Sequence, residues 1–330
     1  MTVRPEINEL QRRMALEIVG QEQIIESLVV GILANGNILV EGLPGLAKTR
    51  AIKALSNNIE GDFSRIQFTP DLVSSDITGR EVFYPAEGDG KGVFKFIKGP
   101  IFSNVVLADE INRAPAKAQN ALLEAMEERQ VTVAGVTHKV PELFMVMATQ
   151  NPAGQEGTFP LPEAQMDRFL MHISVDYPDE EAEANIIRMV REEMSQKKKN
   201  VVKTKTEQVR TSQATIFAAR DEIDRIPVPR VVEDYMVDLI FATRYPQRYT
   251  YELKSYIRIG ASPRASLALD RCVRAHAWLR GQEEVKIENV KAMIKSVLRH
   301  RIMRAERALE HNISSDEIIS DILCLVKTPR

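Results

Sequence analysis

Five short, nearly continuous hydrophobic runs mark the first half of the chain: NILVE (37–41), SRIQF (64–68), NVVLAD (104–109), LFMVMAT (143–149) and FLMHISV (169–175). A strand with one face in water alternates apolar and polar residues, whereas a strand covered on both faces need not. The runs therefore predict a parallel sheet with helices on both sides. The intervening segments agree. Ile24, Ile25, Leu28, Val29, Ile32 and Leu33 fall on one helical stripe, and Ala118, Ala121, Leu122, Ala125 and Met126 form another after Pro115, a residue suited to a first helical turn. Two stretches break the rhythm. Residues 82–99 carry Asp-Gly turn chemistry between short β-prone runs, and residues 130–140 alternate around Ala134-Gly135, so both read as hairpins inserted into an α/β frame.

At 330 residues the chain exceeds the usual single domain, and after about Val175 the pattern becomes helical. The polar, basic stretch from Arg191 to Thr206 divides it. The expected organisation is an α/β core over 1–190, a linker or surface excursion over 191–210 and a helical domain over 211–330. A formal net charge of -2 gives no global attraction to nucleic acid or anionic membranes. The opening MTVRPEINELQRR is charged where a signal peptide needs an apolar core, and no segment reads as a membrane span, so the expected location is cytoplasmic. Cys272 and Cys324 lack metal or redox spacing and read as buried free thiols. The five histidines are scattered, with no ligand spacing.

The chemistry gathers at the ends of the strands. After NILVE comes GLPGLAKT (42–49), close to the phosphate-loop pattern G-x-x-x-x-G-K-[ST] but with Ala47 in place of the second glycine. A strand before and a helical pattern after would let backbone N–H groups and a helix N-terminus face phosphates. Lys48 would then reach the β- and γ-phosphates and Thr49 a magnesium ion. The methyl of Ala47 costs about 1 kcal/mol if the position needs positive φ and almost nothing in a helical conformation. NVVLADE ends in Asp109, a carboxylate for the metal, and Glu110, a base for the attacking water. LFMVMATQN ends in Asn151, whose amide can hold that water or serve as a turn residue before Pro152. Together these make a nucleoside triphosphatase. Ser262-Pro263 reads as a helix N-cap and first residue, so Arg264 would occupy a first turn, where the helix dipole disfavours a cation and a neighbouring anion, phosphate above all, would compensate. Arg168, on its own, reads equally as an ion-pair partner of Asp167.

With these motifs in place the sequence resembles the MoxR family of AAA+ ATPases. The similar stretches are RIQFTPDLVSSDITG (65–79), FKFIKGPIF (94–102), ADEINRAPAKAQNALLEAMEERQVT (108–132), MATQNPAGQEGTFPLPEAQMDRF (147–169) and ASPRA (261–265). Members of that family commonly carry G-x-P-G-x-A-K-T, so Ala47 resembles a family trait. The resemblance implies an AAA+ P-loop core with a five-stranded parallel sheet, two hairpin inserts and a C-terminal all-helical lid over the nucleotide. It implies ATP and Mg2+ as cofactors. The loop Gly42, Leu43, Pro44, Gly45, Leu46, Ala47, Lys48, Thr49 and Arg50 would hold the phosphates, and Ile18, Val19 and Gly20 the adenine. Thr49 and Asp109 would take the metal, Arg168 would be an arginine finger for a neighbouring subunit, and Arg264 a sensor linking the lid to the γ-phosphate. It further implies a ring, taken as a hexamer, that remodels or activates a client protein, during maturation or cofactor insertion, with a partner carrying a von Willebrand factor A domain. The alternatives are a nucleic-acid-remodelling motor, resting on Lys91, Lys95 and Lys98 of the first hairpin, and a nucleotide-gated scaffold without turnover.

Overall fold

A computed structural model describes residues 2–18, 20–42, 48–85, 92–151, 157–159, 161–177, 180–198 and 209–329. The chain opens with α1 (Arg4–Glu17) and α2 (Glu22–Leu33), followed by β1 (Ile38–Gly42), α3 (Lys48–Asn58), β2 (Phe63–Gln67) and the short α4 (Ser74–Thr78). The first hairpin pairs β3 (Gly79–Tyr84) with β4 (Val93–Lys98). Then come β5 (Val105–Asp109), α5 (Ala116–Glu128), the second hairpin of β6 (Gln130–Val133) and β7 (Val136–Lys139), and β8 (Met145–Gln150). The one-turn α6 (Glu163–Met166), β9 (Met171–Val175) and α7 (Glu180–Lys198) follow. The remainder is helical: α8 (Gln213–Asp224), α9 (Arg230–Arg244), α10 (Tyr251–Tyr256), α11 (Pro263–Leu279), α12 (Ile287–Leu298), α13 (Glu306–Glu310) and α14 (Ser315–Leu325), with a small ribbon between Ile257–Ile259 and Met303–Arg304.

The five apolar runs form one sheet in the order β2-β5-β8-β1-β9, with every neighbouring pair parallel. Both faces of β1, β5 and β8 are covered, which is why those runs do not alternate, whereas the edge strand β2 buries Ile66 between the exposed Arg65 and Gln67. Val105 and Leu107 of β5 belong to one core with α1, α2 and α3, while Val106 and Ala108 belong to another with α5. The asparagine-tipped β8 lies directly beside β1, and the acidic β5 is one strand further out.

Backbone geometry explains both inserts. Ala134 and Gly135 take φ of 49° and 83°, the two positive values that a tight primed hairpin turn requires. Gly79 enters the first hairpin at φ 93°, where a Cβ would stand 2.1 Å from the Ile97 carbonyl oxygen, so only glycine fits.

The helical half does not keep its core to itself. Ile7, Leu10, Met14 and Leu28 of the first two helices share one cluster with Ile216, Leu269, Val273 and Ile294. Polar ties reinforce this: Thr215 donates to Glu6 at 2.8 Å, and the Arg220 guanidinium to the Ile32 carbonyl at 2.6 Å. Helix α7 carries the chain in helical form to Lys198, well into the stretch expected as a linker. The expectation of two buried thiols is corrected, because Cys272 is buried but Cys324 is exposed on the last helix. The histidines are also less scattered than their spacing suggests. The rings of His172 and His300 meet edge to face at 5.7 Å, although no metal-holding cluster occurs among the described residues.

Candidate functional site

The carboxyl ends of β1, β5 and β8 gather most of the residues singled out from the sequence. Lys48 opens α3, and its buried ammonium donates to the carbonyl of Gly42, the last residue of β1, at 2.6 Å. Burial lowers its pKa, and the carboxylates of Asp109, Glu110 and Glu41 pull it back up. One cation thus stands among three acids, two of them the predicted metal ligand and base.

Asp109 ends β5 and is held at both oxygens. Its Oδ1 accepts from the Thr149 hydroxyl at 2.7 Å, and its Oδ2 from the Arg65 guanidinium at 2.6 and 3.1 Å. Glu110 follows with φ 57°, a left-handed conformation that costs a non-glycine residue roughly 1 kcal/mol or more. Its backbone N–H donates to the same Thr149 hydroxyl at 2.9 Å. Its carboxylate lies 3.4 Å from the Asn151 amide, accepts from Gln67 at 3.1 Å and pairs with Arg113 at 3.2 Å. Asn151 is buried, and its backbone N–H and carbonyl bond the Asn112 amide at 3.4 and 3.2 Å.

Five of these residues escaped the sequence reading, among them Asn112 and Arg113 in the turn after β5. Arg65 and Gln67 occupy alternate positions of β2, polar against the buried Ile66 between them, and Thr149 is a hydroxyl inside an otherwise apolar strand. Thr149 connects the predicted metal ligand to the predicted base through one oxygen. Thr149→Val keeps the shape but removes that bridge, and turnover should fall about 10-fold, the equivalent of one lost charge-assisted hydrogen bond. Thr149→Ser should restore most of it. Phosphate release by the two variants, at matched melting temperature, checks the assignment, and unchanged turnover in Thr149→Val would count against it.

The proposed adenine segment lies beside α3. Arg50 donates to the Glu17 carbonyl at 2.6 Å, Ile18 is buried, and Gly20 turns the chain at φ 72°. Thr49 follows Lys48 in the first turn of that helix. Val19, Leu43, Pro44, Gly45, Leu46 and Ala47 lie outside the described residues, as do the tips of the first hairpin and the segment after Asn151.

Arg168 and Arg264 are placed elsewhere. Both pair with Glu127 in the last turn of α5: Arg264 through Nη2, and Arg168 through Nε at 3.1 Å. They line a recess of about 300 Å³ with Asn35, Gly36 and Asn37, the residues that lead into β1. Gly42 is at the opposite end of that strand, about 16 Å away at the rise of a parallel strand. Arg264 reaches this recess because the lid helices pack on α2 and the edge strand β9, which sets the start of α11 at the amino end of the sheet. Arg168 also does not pair with Asp167. That carboxylate accepts from Ser262 at 2.8 Å and from the buried Arg301 at 2.8 Å, and the rest of the Arg301 fork reaches the carbonyls of Asp167, Phe169, Leu170 and Val297. With all five donors engaged, Arg301 ties the segment carrying Arg168 to the helical domain.

A covered parallel sheet with a lysine at the start of the helix after β1, an acid pair ending β5 and an asparagine after β8 defines a P-loop ATPase of the AAA type. The sequence profile of the "ATPase family associated with various cellular activities (AAA)" matches residues 37–171, and that of an AAA lid domain matches residues 251–322. "Chaperone MoxR1" of Mycobacterium tuberculosis is 42% identical over 95% of this chain and 80% of its own length. "Protein MoxR" of Methylorubrum extorquens is 28% identical over 88% of this chain and 86% of its own. The crystal structure of a protein from Cytophaga hutchinsonii superposes with a TM-score of 0.87 at 41% identity, covering 99% of this chain and 96% of that one. The chain belongs to the MoxR family of AAA+ ATPases and is an ATP-hydrolysing enzyme.

Proposed function

We propose that this ATPase works as a cytoplasmic ring, a hexamer, whose active sites are shared between neighbours and whose hydrolysis remodels or activates a client protein. The observation that carries the reading is the division of the site residues between two ends of one sheet. Lys48, Asp109, Glu110 and Asn151 gather at the carboxyl end, while Arg168 and Arg264 stand together at the amino end. Two arginines that cannot reach their own phosphates are suited to a neighbour's.

The residues at the carboxyl end fit ATP with magnesium: a buried lysine, two adjacent carboxylates and a helix N-terminus. The loop from Gly42 to Arg50 would hold the phosphates, and Ile18, Val19 and Gly20 the adenine. Magnesium, held by Thr49 and Asp109, would supply positive charge against the phosphate oxygens. Glu110 takes the proton of the attacking water, Asn151 orients that water, and Lys48 compensates charge at the β- and γ-phosphates.

The chaperone name of the mycobacterial relative supports a protein client, through a von Willebrand factor A partner or directly. So does the first hairpin, where Phe83 and Phe94 are 52% and 63% exposed and lie 5.0 Å apart, an aromatic pair without a cover. The nucleic-acid reading has less support, because Lys95 and Lys98 lie over the rings of Tyr84 and Phe102. Among the described residues no helix is long and apolar enough to cross a membrane. The test is affinity capture from lysate with Glu110→Gln held in ATP, beside phosphate release by the parent chain. Capture of a defined protein in ATP but not ADP is expected. Phosphate release at background would favour the scaffold, and salt-dependent stimulation by DNA the motor.

A further inference from the structure

Glu127 sits where a carboxylate is least welcome, in the last turn of α5, at the negative end of the helix dipole. Arg264 has the opposite problem as the second residue of α11, at a positive end. Each relieves the other, and Arg168 joins them, so two guanidinium groups share one carboxylate. The anion that the first turn of α11 calls for is therefore supplied from within the chain.

The contact has the character of an occupant that can be replaced. Arg264 is half exposed, and Arg168 and Glu127 are each about one-third exposed, so water screens the pairs and each contributes little. Arg168 Nε is close to Oε2 at 3.1 Å without forming an aligned hydrogen bond. Asp167, 3.8 Å from Arg264, is already committed to Arg301 and Ser262. Arg129, Arg271 and Arg301 line the same recess, so that five guanidinium groups surround the two carboxylates Glu127 and Asp167 and leave a surplus of positive charge. A triphosphate, with more charge and more acceptor oxygens, would satisfy the two arginines better than one glutamate does.

We infer that Glu127 is an internal stand-in for phosphate: it occupies Arg168 and Arg264 in the separated protomer and is displaced when a neighbour presents its ATP, so that it sets the ATP concentration at which protomers associate. This rests on the proposal that the two arginines act on a neighbour's nucleotide. It adds a competitor built into the same chain and assigns the role to a residue whose ion pairs, among the described residues, are with these two arginines.

Removing the competitor's charge should favour association, whereas removing a brace would weaken it. In full-length chain carrying Glu110→Gln to prevent hydrolysis, sedimentation velocity over a titration of ATP with magnesium reads the assembly midpoint. Adding Glu127→Gln should lower that midpoint by about 5-fold or more, in the range of a lost surface ion-pair competitor with two partners. Glu128→Gln, one residue along the same turn, should not shift it. Glu127→Asp, which keeps the charge but draws it back by one methylene, should give a smaller shift in the same direction and serves if Glu127→Gln does not fold. Combining Glu127→Gln with Arg168→Ala and Arg264→Ala should abolish the shift. An unchanged or raised midpoint in Glu127→Gln, an equal shift in Glu128→Gln, or assembly that ignores ATP in every variant would overturn the inference. If Arg168→Ala and Lys48→Ala chains, each inactive alone, regain ATPase on mixing and Glu127→Gln shifts nothing, the stand-in fails alone; if that mixture stays inactive, the shared site fails with it.

Discussion

Glu110→Gln should eliminate phosphate release while leaving ATP bound, and Lys48→Ala should lose the nucleotide itself. The two variants separate chemistry from binding because the residues stand in different relations to the reacting centre. Glu110 is held at its backbone by Thr149 and at its carboxylate by Asn151, Gln67 and Arg113. Glutamine can retain that geometry and the left-handed backbone but cannot accept a proton from water. The loss should be on the order of 10²- to 10⁴-fold in turnover, the range of positioned general bases, with nucleotide affinity nearly unchanged. Lys48 is the buried cation among Asp109, Glu110 and Glu41. Alanine there removes a charge-assisted contact to phosphate and leaves three carboxylates facing it, so ATP affinity should fall by about 10- to 150-fold. Fluorescent-nucleotide titration and single-turnover phosphate release read the two effects separately. Full turnover in Glu110→Gln would remove the base assignment.

The parts legible in the sequence were those written in local patterns. Strands buried on both faces announce themselves as apolar runs, which is why the central β1, β5 and β8 fall on the expected segments, and the edge strands β2 and β9 fall on theirs as well. The hairpin at Ala134-Gly135 was carried by its turn, and the helix start at Ser262-Pro263 by its cap, with the Ser262 hydroxyl accepting from the Arg264 N–H at 3.1 Å. Lys48, Asp109, Glu110 and Asn151 were legible because each sits within a residue or two of a strand or helix end, so local order alone places them at one rim. What sequence order does not encode is where the helical half docks. Arg264 and Arg168 stand 96 positions apart, one in the lid and one in the core, and their meeting on Glu127 depends on α11 packing against α2. The dipole argument demanded an anion near Arg264, but nothing local distinguishes a phosphate from a glutamate brought in from another helix. Thr149 and Arg65 were hidden for a related reason. Their roles arise from register across β8, β5 and β2, where Arg65 pairs with Leu107 and its side chain reaches the Asp109 carboxylate two residues on.

Mixing two inactive variants should restore ATPase activity if the site is shared. Arg168→Ala keeps an intact phosphate loop and base but lacks the group that stabilises charge on a neighbour's ATP, a contribution that for such fingers is on the order of 10³ or more. Lys48→Ala keeps the arginine but has an impaired loop. In a mixed ring, a Lys48→Ala protomer can present its Arg168 to the intact loop of an Arg168→Ala neighbour, creating a complete site that neither variant makes alone. The proposed shared site follows from the spacing within one chain, where Arg168 stands with Asn35–Asn37 at the amino end of β1 and Lys48 bonds Gly42 at its carboxyl end. Arg264→Ala should behave as Arg168→Ala does in the same mixture, because both arginines share Glu127 and the same recess. Recovery should peak at intermediate ratios and vanish at either extreme. Subunit exchange is verified by co-purification of differently tagged chains, and folding by melting temperature. With exchange and folding established, ATPase at background across all ratios would remove both arginines from the neighbour's site.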